Sequence, residues 1–299
     1  MKTAKYKQFM SLTEEQARDY LESLRWPDGP FCPHCGDLEY VKLKGKATRP
    51  GVYKCKGPAC RKQFTVTVGT IFERSHIPLS KWVAAFYLVC TSKKGISALQ
   101  LQRMLGLASY KSAWHMAHRI RWAMRQEPLA TMLGGTVEVD ETWVGPRRRQ
   151  PNGPNRWQDN KTPVVALIER GGNMRTQVYG KVTKDNLRQA IDSTVKKDAV
   201  LMTDENQAYK NITGDYAGHE TVNHSADEYV RGNAHVNTAE SFFALLKRGI
   251  HGTFHHCGKQ HLHRYADEFA YRWNYRKVSD AERTEAALRQ APGKRLVYR

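Results

Sequence analysis

Long hydrophobic runs are missing from this 299-residue chain. No stretch of about 18 apolar residues exists, so no segment reads as a bilayer-spanning helix and no membrane partner is expected. The opening MKTAKYKQFMSLTEEQ is basic but has no apolar core behind it, which sets aside a secretory signal and points to a cytoplasmic protein. Internal repeats and low-complexity tracts are also missing. Acidic residues are scarce, 29 Asp and Glu against 48 Lys and Arg, leaving a formal charge of +19 that attracts polyanions. With no membrane-spanning segment, nucleic acid is the better match for that field. Cysteine is sparse outside one region: four of the six lie between residues 32 and 60, while Cys90 and Cys257 stand alone. That clustering excludes a disulfide scaffold spread along the chain. Cys90, inside WVAAFYLVC, reads as a buried structural thiol.

What is present suffices for a substantial core, with 40% apolar and 10% aromatic residues, and the length fits two or three domains. Thr13 can cap a helix over 13–25 that ends at Trp26-Pro27-Asp28-Gly29. We divide the chain into an N-terminal helix (1–30), a cysteine-rich ribbon (31–70), a helical region (76–128), an α/β unit (134–280) and a C-terminal tail (281–299). From Thr136 the apolar period changes from helical to alternating. The order beyond it reads three strands, helix, strand, helix, strand, helix. The last helix stripes Leu262, Tyr265, Phe269 and Trp273 along one side, the signature of a core-facing surface.

The cysteine pattern is Cys32-x2-Cys35, nineteen intervening residues, then Cys55-x4-Cys60. Two tight pairs on adjacent turns supply the four soft ligands that tetrahedral zinc needs. Four thiolates leave no open position, so the ion is structural, and we expect one per chain. His34 falls between ligands as a bystander. Lys54, Lys56, Arg61 and Lys62 surround the second pair and would make the ribbon a DNA-binding surface.

ISALQLQRMLGLASYKSAWHMAHRIRWAM splits at Gly106 into two amphipathic halves, a helix-turn-helix pattern in which the second helix would enter the DNA major groove. Lys111, His115, His118 and Arg119 would then face the groove or the phosphates. The competing reading is a plain αα-hairpin.

The remaining oddity is TVEVDETWV. Within a basic chain it gathers Glu138, Asp140 and Glu141 on a strand, where a bare carboxylate is unfavourable unless a cation meets it. Asp204 ends the apolar strand AVLMTD in the same way. Two such aspartates can converge at one sheet edge. With a third acid from a later helix they would hold two divalent ions, magnesium or manganese, of the kind that clamp an in-line phosphoryl displacement. Glu240 is the leading third acid, with Lys247 two helical turns further along the same face. NTAE also resembles a capping box, with Asn237 as cap. Asn237 is itself an alternative third ligand, and Asp267 and Glu268 remain open.

EVDETWVG, TDENQAY and NTAESFFALLKRGIHGTFHH, behind the four-cysteine segment, resemble the zinc-ribbon-bearing bacterial insertion-sequence transposases, the ISXO-like group. The resemblance spans residues 15–278 and implies a DDE, ribonuclease H-like catalytic core in a mixed α/β chain. It implies Asp140 and Asp204 as metal-binding catalytic acids and the Glu240/Lys247 helix as the third element, a position that can be Asn in this group. VGPRRR departs from the double glycine usual after WVG. The implied activity is binding of terminal inverted repeats in double-stranded DNA, then metal-dependent strand cleavage and transfer. Because two ends must be held together, a homo-oligomer on nucleoid DNA is expected. The alternatives are a non-catalytic DNA-binding regulator and a nuclease of the same fold without strand transfer.

Overall fold

The computed structural model describes residues 8–126, 131–145, 161–209, 214–223, 228 and 230–296. The chain divides into two compact units, residues 1–124 with 278–299, and residues 125–277.

In the first unit, α1 (Glu14–Arg25) opens on a capping box. The Thr13 side chain accepts from the Gln16 N–H, and the Gln16 side chain accepts from the Thr13 N–H. Three short strands, β1 (Tyr40–Lys42), β2 (Tyr53–Cys55) and β3 (Gln63–Phe64), form an antiparallel ribbon in the order β1-β2-β3. Trp26, just past α1, is buried edge-on against Tyr53 and Phe64 and so ties helix to ribbon. The helix α2 (Leu79–Thr91) is buried over ten of its thirteen residues, Cys90 among them. Ser97 caps α3 (Ala98–Leu105), which stops at Gly106 in the left-handed conformation, and α4 (Tyr110–Met124) follows.

The segment read as a C-terminal tail contains a further helix. α8 (Asp280–Arg289) starts with a Ser279/Glu282 capping box and packs on α1, α2 and α4. Arg283 donates to the Cys90 carbonyl at 3.2 Å and Arg289 to the Leu24 carbonyl at 3.3 Å. The end of the chain is therefore structural within the first unit.

The second unit holds β4 (Thr136–Val144), β5 (Thr162–Glu169), β6 (Met174–Val178), α5 (Lys184–Asp192), β7 (Val200–Thr203), β8 (Gly218–Thr221), α6 (Asn237–Gly249) and α7 (Leu262–Asn274). The sheet order is β6-β5-β4-β7-β8. β4, β5 and β6 pair antiparallel as a meander, while β7 and β8 run parallel to β4. This is the ribonuclease H-like arrangement. Alternation along the strands serves two cores. Val137, Val139, Val165 and Leu201 meet Leu187 and Ile191 of α5 on one face. On the other, Val164, Ala166 and Ile168 meet Phe242 and Leu246 of α6 and Phe269 of α7. Leu262, Tyr265 and Phe269 are buried and Trp273 packs beside them, so that stripe is core.

Candidate active site

Asp140 sits on β4, the central strand, opposite Ala166 of β5. On its other side β4 runs parallel to β7, with Glu138 level with Met202. Continuing that register by two residues sets Asp204, just past the end of β7, level with Asp140. The two aspartates that the sequence singles out are thus brought to neighbouring positions by one parallel strand pair.

Their electrostatics show how close the crowding is. Burial pushes the Asp140 carboxyl up to about 8, and the charges of Asp204, Glu141 and Glu240 push the same way. Only the Glu141 N–H, donating to Asp140 Oδ1 at 2.7 Å, opposes them. Asn206 links two of these acids, its backbone N–H donating to Asp204 Oδ1 at 3.1 Å and its amide to Glu141 Oε1 at 2.5 Å. The buried Tyr209 hydroxyl donates to Glu141 Oε2 at 2.5 Å. Burial, followed by the Asp204 charge, raises Glu141 despite these two donors. Glu141, Asn206 and Tyr209 had no assigned part in the sequence reading. The strand period puts Glu141 on the face away from Asp140, and its donors lie 65 and 68 residues away.

The third element arrives on α6. Asn237 is its first residue and makes no capping bond: the helix begins after Val236 with no side-chain cap of its own. The cap comes from Glu138, fully buried on β4. Its carboxylate accepts from the Thr238 N–H at 2.8 Å, the Thr238 hydroxyl at 2.8 Å and the Ala239 N–H at 3.2 Å. Arg170 Nε donates to the same carboxylate at 2.8 Å, and His235 Nδ1 lies 3.3 Å from it. A carboxylate against a helix N-terminus meets unpaired N–H groups and the positive end of the helix dipole. The local NTAE capping box expected as an alternative is therefore replaced by a cap from the strand that carries Asp140.

That docking aims the helix. Glu240, exposed in its first turn, contributes to the field that raises Asp140. Lys247, two turns on, is lowered by burial and by Lys161 while the Asp140 charge holds it up. Asn237 is exposed at the helix start. Asp267 and Glu268 lie on α7, where Glu268 is buried in an ion pair with Arg272 at 2.5 Å. Arg147–Arg149 fall outside the described residues.

The acids fit a divalent cation by their chemistry. A carboxyl raised by burial and by neighbouring acids, as Asp140 is, is stabilised in its charged form when a hard cation takes its oxygens. Asp140, Asp204 and Glu240 are the candidates to hold it, although they do not close into a trio of ligand atoms within 4.8 Å; among the described residues, the cysteine quartet does.

That quartet, Cys32, Cys35, Cys55 and Cys60, supports a structural zinc. Cys32 and Cys60 sulfurs lie 3.8 Å apart and those of Cys35 and Cys55 3.6 Å apart. A tetrahedron with zinc–sulfur bonds of about 2.3 Å has edges of about 3.8 Å, so the spacing suits the ion. The Gly57 N–H donates to Cys55 Sγ at 3.3 Å, as the turns of a zinc knuckle do. Lys54, Lys56, Arg61 and Lys62 are all exposed around it.

On α4, Lys111 is exposed and His115 half-buried, the latter drawn down by burial and by Lys111 and Arg119. His118 does not face outward: it is fully buried, with its ring 4.1 Å from that of Trp114. At 3.6 residues per turn it lies one turn beyond Trp114 and between the buried Ala117 and Ile120, a position that its polar character disguised. Arg119 donates to the carbonyls of Ile71 and Glu73 at 3.1 and 3.3 Å, so its guanidinium also holds that loop.

Residues 132–274 match the ISXO2-like transposase domain, and residues 12–63 match the transposase zinc-ribbon domain. An uncharacterized protein of transposable element ISH50 from Halobacterium salinarum is 31% identical over 254 residues, 80% of this chain and 84% of its own length. That relative is archaeal, so the resemblance is not confined to bacterial elements. Among solved structures, the Mos1 strand transfer complex aligns with a TM-score of 0.25 at 14% identity, over 62% of this chain and 73% of that one. A pre-cleavage Mos1 transpososome aligns at 0.22 and 13%, over 92% and 95%. Both superpositions are loose and do not bear on residue roles. The two domain matches fall in order on the cysteine ribbon and on the sheet that carries Asp140 and Asp204, and the identity to the ISH50 protein runs through most of both chains: this protein belongs to the zinc-ribbon-bearing ISXO2-like transposase family.

Proposed function

We propose that this protein binds the terminal inverted repeats of its own element, hydrolyses one DNA strand at each end and joins the freed 3′-hydroxyl to target DNA. The observation that carries the reading is Asp140, a carboxyl raised to about 8 first by burial and then by the charges of Asp204, Glu141 and Glu240, in a chain of net charge +19. A scaffold has no use for mutually repelling acids on its central strand. Divalent ions, magnesium or manganese, when bound there would activate the attacking oxygen and offset charge on the scissile phosphate.

The chain's own residues divide the remaining work. Asp140 and Asp204 hold the cation site from adjacent strands, and Glu240 completes it. Glu240 is the leading third ligand and Asn237 the alternative. Lys247, near Asp140 and Lys161, would meet a phosphate oxygen. Asn206 and Tyr209 keep Glu141 fixed beneath the acids. Lys54, Lys62, Lys111, His115 and Arg119 would take the phosphates and groove of the repeat. Two ends in one reaction call for at least a dimer on DNA, in the cytoplasm.

Incubating the full chain with duplexes carrying candidate element ends, Mg²⁺ and a target plasmid tests this, with cleavage and joining scored separately. Cleavage and joining that vanish in Asp140→Asn support the reading. Cleavage without joining would make the protein a nuclease, and binding with neither would make it a regulator.

A further inference from the structure

Glu141 is the acid to which the cation-site reading gives no task of its own. It follows Asp140 on β4, so the strand period turns it to the opposite face, the side of Val137 and Val139. It is buried there, only 8% exposed. A carboxylate in such a place needs partners, and each of its oxygens has one. Asn206 Nδ2 donates to Oε1 and the Tyr209 hydroxyl to Oε2. Tyr209, 1% exposed, belongs to the apolar core on that face.

Both donors come from one short segment, the turn that follows Asp204. Every polar group of Asn206 is engaged within it. The backbone N–H donates to Asp204 Oδ1 at 3.1 Å, the side-chain oxygen accepts from the Ala208 N–H at 3.0 Å, and the carbonyl accepts from the Tyr209 N–H at 3.0 Å. The remaining group, the amide nitrogen, reaches Glu141. One residue therefore bonds the Asp204 carboxylate through its backbone and the β4 carboxylate through its side chain. The ladder between β7 and β4 ends with Glu138 level with Met202, two residues short of Asp204. The two side-chain bonds to Glu141 continue the connection to β4 where that ladder stops.

We propose that Glu141, Asn206 and Tyr209 form a bracket that sets the carboxylate of Asp204 beside that of Asp140 for the cation, with Glu141 a positioning residue and not a ligand. The cation part of this rests on the metal-dependent reading above. The structural part, that the bracket holds the turn, rests on the hydrogen bonds alone. Partners that orient a metal ligand from behind are typically worth about 10- to 100-fold in metal affinity.

Two variants probe the bracket in the full chain without altering the Asp140, Asp204 or Glu240 side chains. Asn206→Ala removes the amide that joins the turn to β4. Tyr209→Phe removes one hydroxyl and keeps the ring in the core. The first measurement is backbone hydrogen exchange without divalent metal. Tyr209→Phe deletes no bond of the Asn206 and Ala208 N–H groups, yet it should speed their exchange about 10-fold, the worth of one hydrogen bond to a charged acceptor. The second is Mn²⁺ binding followed by electron paramagnetic resonance, with Mg²⁺-dependent cleavage alongside. Asn206→Ala should bind Mn²⁺ about 10- to 100-fold more weakly, and its cleavage should need more Mg²⁺ but recover at saturation. A loss of fold alone would lower the melting temperature without that split. Glu141→Gln keeps an acceptor oxygen and should lose less Mn²⁺ affinity than Asp140→Asn. Equal losses for those two would make Glu141 a ligand and overturn the proposal. Unchanged Mn²⁺ affinity in Asn206→Ala, or unchanged exchange in Tyr209→Phe, would overturn it as well. A parent protein that binds no Mn²⁺ would instead overturn the metal-dependent reading, and the exchange measurement would still decide whether the bracket holds the turn.

Discussion

Burial among other acids gives Asp140 a titration that can be followed. A free aspartate ionises near 3.9, and this one is raised to about 8. The folded form therefore holds its proton more tightly than the unfolded chain. Its contribution to stability is complete below about pH 4 and is lost as the pH rises through about 8. In metal-free protein, the thermal midpoint should fall between pH 5 and pH 8.5, and Asp140→Asn should remove part of that slope. Asp140→Asn and Asp204→Asn should each abolish cleavage while binding to DNA survives. A metal titration by calorimetry should show proton release near neutral pH in the parent and less in Asp140→Asn. Both aspartates were legible because each interrupts an apolar strand, where a bare carboxylate stands out. Glu138 interrupts the same strand but went unassigned, since its donors on Thr238 lie 100 positions away and the sequence offers no local partner. His118 was misplaced for the opposite reason: polar character suggested exposure, and packing against Trp114 decided otherwise.

At the level of elements, the docking of α6 on β4 sets the geometry of the acids. Glu138→Ala would leave the Thr238 and Ala239 N–H groups and the Arg170 guanidinium facing an empty, buried position. Breaking a buried charged network of this kind costs about 3 to 5 kcal/mol. Urea denaturation should show that loss, and cleavage should fall because Glu240 and Lys247 lose their fixed origin. Glu138→Gln keeps an acceptor and should cost less; equal losses for Ala and Gln would mean that charge, not capping, is what the helix requires. Helix α4, proposed to face DNA, calls for a different pair of variants. Lys111→Ala should weaken DNA binding with the fold intact. Arg119→Ala should lower the melting temperature as well, because its guanidinium holds the Ile71 and Glu73 carbonyls. Strand order in the second unit was legible from the change of apolar period at Thr136, although the helix expected between β7 and β8 is, among the described residues, only the single 3-10 turn Gln207–Tyr209. α8 was not, since its ten residues acquire a core only by meeting α1 and α2 from the far end of the chain.

For the whole molecule, charge and metal separate the roles of the two units. Cys55→Ser should abolish zinc binding and unfold residues 31 to 68 while the sheet of the second unit persists, because the ion supplies much of a small ribbon's folding energy. Atomic absorption with far-ultraviolet circular dichroism would show it, and full zinc content in that variant would refute the four-thiolate site. The net charge of +19 makes the stronger demand. Each phosphate neutralised by Lys or Arg releases condensed counterions, so log affinity falls with log salt at a slope of about −0.9 per contact. If six to ten phosphates are engaged, affinity should drop on the order of 10³- to 10⁵-fold between about 50 and 200 mM salt. Removing the exposed Lys54 and Lys62 together should lower the slope by about two if both reach phosphates, as one unit per contact requires. Fluorescence anisotropy across a salt series with one duplex reads both quantities. A flat response would mean that the positive field is not the source of DNA affinity. A steep response unchanged in the double variant would move the phosphate contacts off the zinc ribbon and onto the helices and the lysines around the sheet.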